Sequence, residues 1–401
     1  SNNPDLRVTA AKLEAAQASL KIAGADLLPA ISARAASSRT KRNSTSGFKV
    51  TSLRTYRHTP SLDLAWELDV WGRLSDTKRA ARLDAEQAAI NLQGARLSLA
   101  ANTAKRWFNL AETELQTQLA LQTLKSYTNN LAVLEEGLKR GLTKALDVRL
   151  MQTSVRNAEN TLQLRLRQQD AAGRSLEILL ARYPKSEVAA TAKLPSLTNN
   201  VPAGLPAQLI ERRPDVLAAQ RGYLASHYRV GSAKKDRLPK ISLTANYGTS
   251  SDELKDVLDI NNNIWNLATN LTMPIFDAGK IKSQIKRAEA LREQAKYQYV
   301  QTTLQAFSEV ETTLAAETFL NQQEIALRGA VTEATGAESL AQEDYLAGLT
   351  DLITVLEAQR RVFDAKRSLI EIQNLRLQNR IDIYLALGGE FSKPEPKAET
   401  E

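Results

Sequence analysis

The chain of 401 residues has no cysteine, two histidines and two methionines. Without cysteine it has no disulfide, no thiolate nucleophile and no Cys-based zinc site. His58 and His227 are far apart in sequence, each among Tyr and Arg residues. They read as surface or interfacial residues, not as a metal site or part of a Ser-His-Asp triad. No convergent nucleophile, base or metal cluster is visible, so neither an enzyme nor a cofactor is expected. No run of 18 apolar residues occurs, which excludes a transmembrane helix. Neither charge sign dominates: 53 basic and 45 acidic residues give a net +8 spread along the chain.

What the chain does have is an internal repeat, with an offset of about 210 residues. Pro4-Asp5-Leu6 returns as Pro214-Asp215-Val216, and Leu28-Pro29-Ala30-Ile31-Ser32 as Leu238-Pro239-Lys240-Ile241-Ser242. Gly72-Arg73-Leu74 returns as Gly279-Lys280-Ile281, and Gly141-Leu142-Thr143 as Gly348-Leu349-Thr350. Residues 1–183 form the first repeat, 184–206 an irregular Pro-rich connector packed against helices, and 207–391 the second repeat. The Pro/Glu/Lys-rich tail 392–401 reads as disordered. The lead-in Leu205–Arg213 has no counterpart before Pro4, so a preceding segment carrying any export signal is expected to be missing.

Each repeat reads as a helix, two alternating strands and two long helices. Residues 5–26 are helical in period, and Leu28-Pro29 ends that helix. Ile31, Ala33 and Ala35 alternate with Ser32, Arg34 and Ala36, and Ser37–Lys49 reads as a polar loop. Leu62, Leu64, Trp66, Leu68 and Val70 alternate with Ser61, Asp63, Ala65, Glu67 and Asp69. In the second repeat, Ile241–Tyr247 and Leu267–Ile275 alternate in the same way, joined by a polar loop over 248–263. A helix then runs from Gly72 to about Glu136, roughly 60 residues or roughly 90 Å. Its row Leu83, Ile90, Leu97, Ala104 and Ala111 has heptad spacing. Gly137–Gly141 breaks it, and Thr143 is the expected N-cap of a return helix to about Arg182. The second copy predicts a helix over 280–345, an N-cap at Thr350 and a helix to Leu387, with the heptad row Leu356, Phe363, Ile370, Leu377 and Tyr384.

One strand face is apolar and the other carries Asp63, Glu67 and Asp69. Four short strands offer little for such a face to pack against, and the long helices cannot fold back as a cover. A membrane β-barrel with the apolar face toward lipid fits this pattern. Leu64, Trp66, Leu68, Leu271 and Met273, with Leu243, are then lipid-facing. Four strands do not close a barrel, so several chains must each contribute a sheet. Their long helices would gather into a tube. The tightest basic cluster, Arg34–Lys49, is Ser/Thr-rich with few aromatics, which argues against nucleic acid. It suits a lipid or lipopolysaccharide headgroup zone.

The chain resembles the TolC-type outer-membrane factors, in particular the OprM-like (NodT-type) branch. The motifs that carry the resemblance are Leu209-Ile210-Glu211-Arg212-Arg213-Pro214-Asp215-Val216, Trp66–Leu74, Pro274–Lys280 and Ala386-Leu387-Gly388-Gly389. The resemblance spans residues 3–390. It implies an α+β membrane channel: a homotrimeric, twelve-stranded outer-membrane β-barrel continuous with a periplasmic α-helical barrel, and an equatorial belt. It implies passive conduction of small molecules, with a periplasmic adaptor and an inner-membrane pump of the RND type as partners. Many members carry an N-terminal lipid on cysteine; the sequence has no cysteine, so no lipid site is assigned in it. Two alternatives stay open: a channel for type I protein secretion, and a periplasmic coiled-coil adaptor, though no lipoyl-like module is found.

By the same resemblance, the hairpin tips Gly141, Leu142, Thr143 and Gly348, Leu349, Thr350 meet the adaptor, and a gate lies just inside them. Glu357 stands at the family's constriction, with Arg360 one helical step away. Thr354 stands where some members carry a further aspartate. Asp147 and Tyr345 match positions that bond neighbouring hairpins in the closed state. Glu357 and Arg360 also read as an ordinary exposed i,i+3 pair, and Gly141 and Gly348 as helix-end glycines.

Overall fold

The structure, a computed structural model, describes residues 3–190, 193–197 and 212–389. The expected tail, about half of the connector (191–192 and 198–206) and Leu209–Glu211 of the second-repeat opening lie outside the described residues. The elements are α1 (Pro4–Ala25), β1 (Ala30–Ser46), β2 (Lys49–Leu68), α2 (Arg73–Lys139), α3 (Ala145–Leu179), α4 (Pro214–Lys235), β3 (Lys240–Thr249), β4 (Asn263–Thr272), α5 (Lys280–Leu346) and α6 (Leu352–Ala386). Corresponding helices match in length: 22 residues in α1 and α4, 67 in α2 and α5, 35 in α3 and α6. The repeat is therefore carried by the backbone as well as the landmarks. At 1.5 Å per residue, α2 and α5 each span about 100 Å.

Two compact units form, each drawing on both repeats. One holds Ala10–Asn91 and Leu217–Thr302; the other holds Ser1–Thr9, Leu92–Val216 and Thr303–Glu401. The first unit contains a four-stranded antiparallel sheet in the order β1-β2-β3-β4. Paired residues share a face. Leu64 lies opposite Ile31 and Ala245, Leu62 opposite Tyr247, Trp66 opposite Leu243, and Leu68 opposite Ile241, which pairs with Leu271. The other face aligns Asp63 with Ser32 and Asn246, and Glu67 with Ser242. On the apolar face Ile31 is 71% exposed, Leu271 69% and Trp265 74%. Among the described residues nothing covers these side chains, while Leu64, Trp66 and Leu68 nearer the middle of the sheet are half-buried.

Three strand expectations need correction. Ser37–Lys49 is not a loop: β1 and β2 pair without interruption from Ala30↔Ala65 to Ser46↔Lys49. Polar residues on both faces erase the alternation that marks a strand, while Thr and Val still favour extended backbone. Val70 lies beyond the end of β2, and Met273 and Ile275 beyond the end of β4. There the chain turns into the long helices. Asp69 accepts from the backbone N–H groups of Leu74 (2.9 Å) and Ser75 (2.7 Å). Asp277 does the same for Gly279 (2.9 Å) and Ile281 (2.7 Å). These carboxylates satisfy the unpaired donors at each helix start. Two indoles fix the helix–strand junctions, Trp66 donating to the Leu27 carbonyl (3.0 Å) and Trp71 to that of Pro239 (2.7 Å). Beneath the sheet the helices bury mainly alanines, among them Ala80, Ala85, Ala218 and Ala225. The buried Asp76 pairs there with Lys235 at 2.5 Å.

In the second unit, Arg213 explains the Arg-Arg-Pro-Asp motif. Its guanidinium is almost wholly buried and donates to Asp215 (2.7 Å), Glu309 (2.7 Å) and the Ala386 carbonyl (3.2 Å). It joins the start of α4, the middle of α5 and the end of α6. α5 and α6 are further joined by Arg376 and Arg380, which converge on Glu317 (3.3 and 2.9 Å), with Arg376 also on Glu324. Burial pushes the Glu324 carboxyl up, but hydrogen bonds from Arg376 and Arg328 outweigh it and hold it below its usual range. The described part of the connector packs on α2 and α3. Glu177 accepts the N–H groups of Ser186 (2.7 Å), Glu187 (2.7 Å) and Val188 (3.2 Å), and Ala190 joins Leu110, Ala111, Ala172 and Leu176 in an apolar cluster. The α6 heptad row is met only in part: Leu377 is buried, but so are Val355, Val362, Ile372 and Ile383 beside the row, whereas Tyr384 is 43% exposed. The real seam lies beside the predicted one, because Leu356, Phe363 and Ile370 sit at the edge of the packed stripe.

A polar cavity lies between α2, α3 and α6, lined by Glu112, Gln116, Arg165, Arg367 and Glu371. Glu112 accepts from Asn374 at 2.5 Å. Burial pushes its carboxyl above the usual glutamate range, and nearby Glu371 adds to the rise despite the Asn374 hydrogen bond.

Two stability outcomes are expected. Arg213→Ala leaves Asp215 and Glu309 without their shared partner and should cost about 2–3 kcal/mol, read as a lower urea midpoint. Arg213→Lys should recover only part, because an ammonium lacks the planar fork. For Glu112 the folded state holds its proton more tightly than the unfolded one. Stability is thus greatest below the ordinary glutamate pKa and falls as pH rises toward the raised folded value. Glu112→Gln should melt higher than wild type at pH 7.5, by roughly 1–3 °C, with the difference vanishing near pH 4 when helical circular dichroism is followed on heating.

Candidate functional site

The candidate site is built at the ends of the two helical hairpins, both in the second unit. Both tips use one device. Gly141 has φ +73° and Gly348 φ +73°. The Leu142 N–H reaches back to the Gly137 carbonyl (2.8 Å) and the Gly141 N–H to that of Leu138 (3.0 Å). Leu349 to Asp344 (2.8 Å) and Gly348 to Tyr345 (3.0 Å) repeat the pattern. This 6→1 and 5→2 pairing is a Schellman end, and it demands a left-handed residue that glycine supplies without strain. It leaves Leu142 80% and Leu349 77% exposed.

The expected caps are displaced by one residue. α3 starts after Lys144, which is extended and makes no side-chain cap. The Thr143 hydroxyl instead lies against Gly137, where a Cβ would come within 2.3 Å of it. α6 is capped by Asp351, not Thr350: its carboxylate accepts from the Thr354 N–H (3.0 Å) and hydroxyl (2.8 Å). An aspartate next to a threonine wins because its charged Oδ1 accepts both bonds at once. These bonds hold the Asp351 carboxyl below its usual range.

The hairpins meet in an apolar cluster of Leu134, Val148, Met151 and Leu352, against which Tyr345 packs. Burial raises the Tyr345 pKa above its usual value, and the Asp147 carboxylate raises it further. The structure thus brings Tyr345 and Asp147 close within one chain. Thr354 is occupied by Asp351.

Glu357 lies farther along α6, on a cavity of about 370 Å³ also lined by Tyr127, Asn157, Leu356, Arg360 and Phe363. Arg360 grips its carboxylate with both Nε (3.0 Å) and Nη2 (2.9 Å). Arg361, which the sequence reading did not single out, adds a bond from Nε at 3.2 Å. The hydrogen bonds from Arg360 and Arg361 hold the Glu357 carboxyl below its usual range. The missed signal was the i,i+4 spacing of Glu357 and Arg361. Glu357 thus serves two guanidiniums, with the Asp364 carboxylate also acting on Arg360. Among the described residues no cluster suited to a metal ion occurs.

The sequence matches the family described as outer membrane efflux protein over residues 1–182 and 205–389. It is 31% identical over 395 residues to the outer membrane protein OprJ of Pseudomonas aeruginosa, covering 97% of this chain and 82% of that protein. It is 28% identical over 389 residues to the cation efflux system protein CusC of Escherichia coli K12, covering 97% and 84%. The fold is similar to the crystal structure of CusC, with TM-score 0.90, 26% identity, and 97% and 90% of the two chains covered. It is likewise similar to the open state of the MtrE channel of Neisseria gonorrhoeae, with TM-score 0.85, 27% identity and coverage of 96% and 86%. The family is one of channels and not of enzymes. The chain belongs to the outer membrane efflux protein family and is an outer-membrane efflux channel.

Proposed function

We propose that three copies of this chain close a twelve-stranded barrel in the outer membrane and a helical tube in the periplasm, through which small molecules leave the cell passively. The bare apolar face of the four-stranded sheet is the observation that carries this reading. Its edge strands β1 and β4 have one unpaired side each. Lipid offers no hydrogen bonds to such edges, so β1 of one chain must pair with β4 of the next. Leu64, Trp66, Leu68 and Leu271 then face lipid, and the face carrying Asp63 and Glu67 lines the channel. The exposed leucines of the two tips, Leu142 and Leu349, form the contact for a periplasmic adaptor, which links the channel to an RND-type inner-membrane pump.

The gate lies at the hairpin ends. Tyr345 and Asp147 hold the hairpins in the closed arrangement, and Glu357 repeated around a threefold axis forms the constriction. Arg360 and Arg361 offset the repulsion among its copies. Relatives bear names for cations, solvents and antibiotics. A frame shared by such different cargoes suits a conduit whose substrate is chosen by the pump.

Mass measurement in detergent is expected to give a trimer, and a stable folded monomer would overturn the reading. Arginine at Leu64 or Leu271 should block assembly in the membrane, at about 2–4 kcal/mol near the midplane; unimpaired assembly of both variants would count against the lipid face. In single-channel recordings, Glu357→Ala should shift ion preference away from cations and weaken multivalent-cation block while the trimer survives. Asp147→Ala should raise conductance by loosening the closed state. Wild-type selectivity and block in the Glu357 variant would return that residue to an ordinary helix-surface pair.

A further inference from the structure

The β1–β2 hairpin outruns the sheet. β3 engages β2 only over Ser61–Leu68, whereas β1 and β2 stay paired to Ser46↔Lys49. An isolated bridge of His58 to Ser251 is the last backbone contact on that side, and the two-stranded part beyond it extends about 30 Å at about 3.4 Å per residue. Its composition is one-sided: Arg34, Arg39, Lys41, Arg42, Lys49, Arg54 and Arg57 occur with no carboxylate between Asp26 and Asp63. The register sorts these cations. Arg39 pairs with Tyr56 and Lys41 with Arg54, on the face that carries Leu62 and Leu64. Arg34, Arg42 and Arg57 lie on the opposite face. Arg39, Lys41 and Arg54 are exposed, and none has a carboxylate partner among the described residues. Arg39 stacks on Tyr56, its guanidinium carbon 5.0 Å from the ring centroid. Lys41 and Arg54 stand directly opposite each other, an arrangement of like charges that costs stability unless an anion joins them.

Position gives that anion a source. A tilted strand crosses the apolar core in about 9–11 residues, which places Leu68 at one boundary and His58 at the other. Tyr56, Arg39, Arg54 and Lys41 come immediately beyond, an aromatic first and then cations. We propose that this outer hairpin face binds the phosphate groups of glycolipids in the outer leaflet of the outer membrane. Arg39 and Arg54 grip phosphate as planar forks and Lys41 as a point charge. The inference rests on the reading that the Leu64 face meets lipid.

The test is binding of bis-phosphorylated lipid A to the detergent-purified protein by native mass spectrometry. Arg39→Gln/Lys41→Gln/Arg54→Gln should lose at least about tenfold in affinity. The opposite-face set Arg34→Gln/Arg42→Gln/Arg57→Gln should stay within about twofold. Dephosphorylated lipid A should bind wild type at least about tenfold more weakly, and inorganic phosphate should not displace the lipid. Oligomer mass reports that each variant is assembled. Full binding by the outer-face variant, equal binding of dephosphorylated lipid, displacement by inorganic phosphate, or loss confined to the opposite-face variant would each overturn the inference. Failure here while Leu64→Arg still blocks membrane assembly would remove this inference alone. Normal assembly of Leu64→Arg and Leu271→Arg would remove the lipid face beneath it.

Discussion

Backbone hydrogen bonding in lipid is the constraint on which this chain's organisation depends. A strand in hydrocarbon must have every N–H and C=O paired by another strand. This chain provides three ladders and leaves two edges open. It also provides an apolar face with no cover of its own. A soluble protein would blunt such edges or bury such a face. On the proposed reading both features persist because closure is left to further copies of the same sheet. The duplication would follow from the same economy: each repeat contributes one outer edge strand, β1 or β4.

The helices meet a different demand. Helices as long as α2 and α5 draw little stability from local propensity and must be held along their length. Alanines let neighbouring helices approach closely, and buried ion pairs set register where apolar contact alone would permit sliding. Asp76 with Lys235 does this beneath the sheet, and Glu317 with Arg376 and Arg380 between α5 and α6. Burial makes such pairs weak contributors to net stability but costly to mismatch. That suits them to fixing one arrangement among several of similar apolar content. Arg213 has the same role where three helices converge, which explains its place in a motif that also marks the family resemblance.

Much of this was legible in the sequence because repeats, periodicity and glycine punctuation are backbone signals. The helices and β3 fell within a few residues of their expected limits, as did the C-terminal end of β2 but not its start, and alternation put Leu64, Trp66 and Leu68 on one face, as the pairing register does. The outer hairpin has polar side chains on both faces, so its strands have no period to read; only pairing reveals them. Thr143 and Thr350 were plausible caps, but the choice between adjacent side chains depends on what each can touch. Thr143 is held against Gly137, and Asp351 offers a better acceptor. Arg360 was legible as the i,i+3 partner of Glu357, whereas the missed Arg361 takes the second place, at i,i+4, on the same carboxylate.

That last omission changes the electrostatics of the proposed constriction. A bare ring of carboxylates would attract cations and resist closure through its own repulsion. Glu357 is not bare: Arg360 and Arg361 occupy both its oxygens. All three side chains are on one helix, so they travel together if that helix moves. The carboxylate can then act on a passing ion only by yielding part of its hold on a guanidinium. Its influence on permeation is therefore a competition between the ion and two tethered cations. A multivalent cation competes better than a monovalent one. The constriction should thus discriminate by ion valence more sharply than a simple acidic ring, without a further charged residue at Thr354.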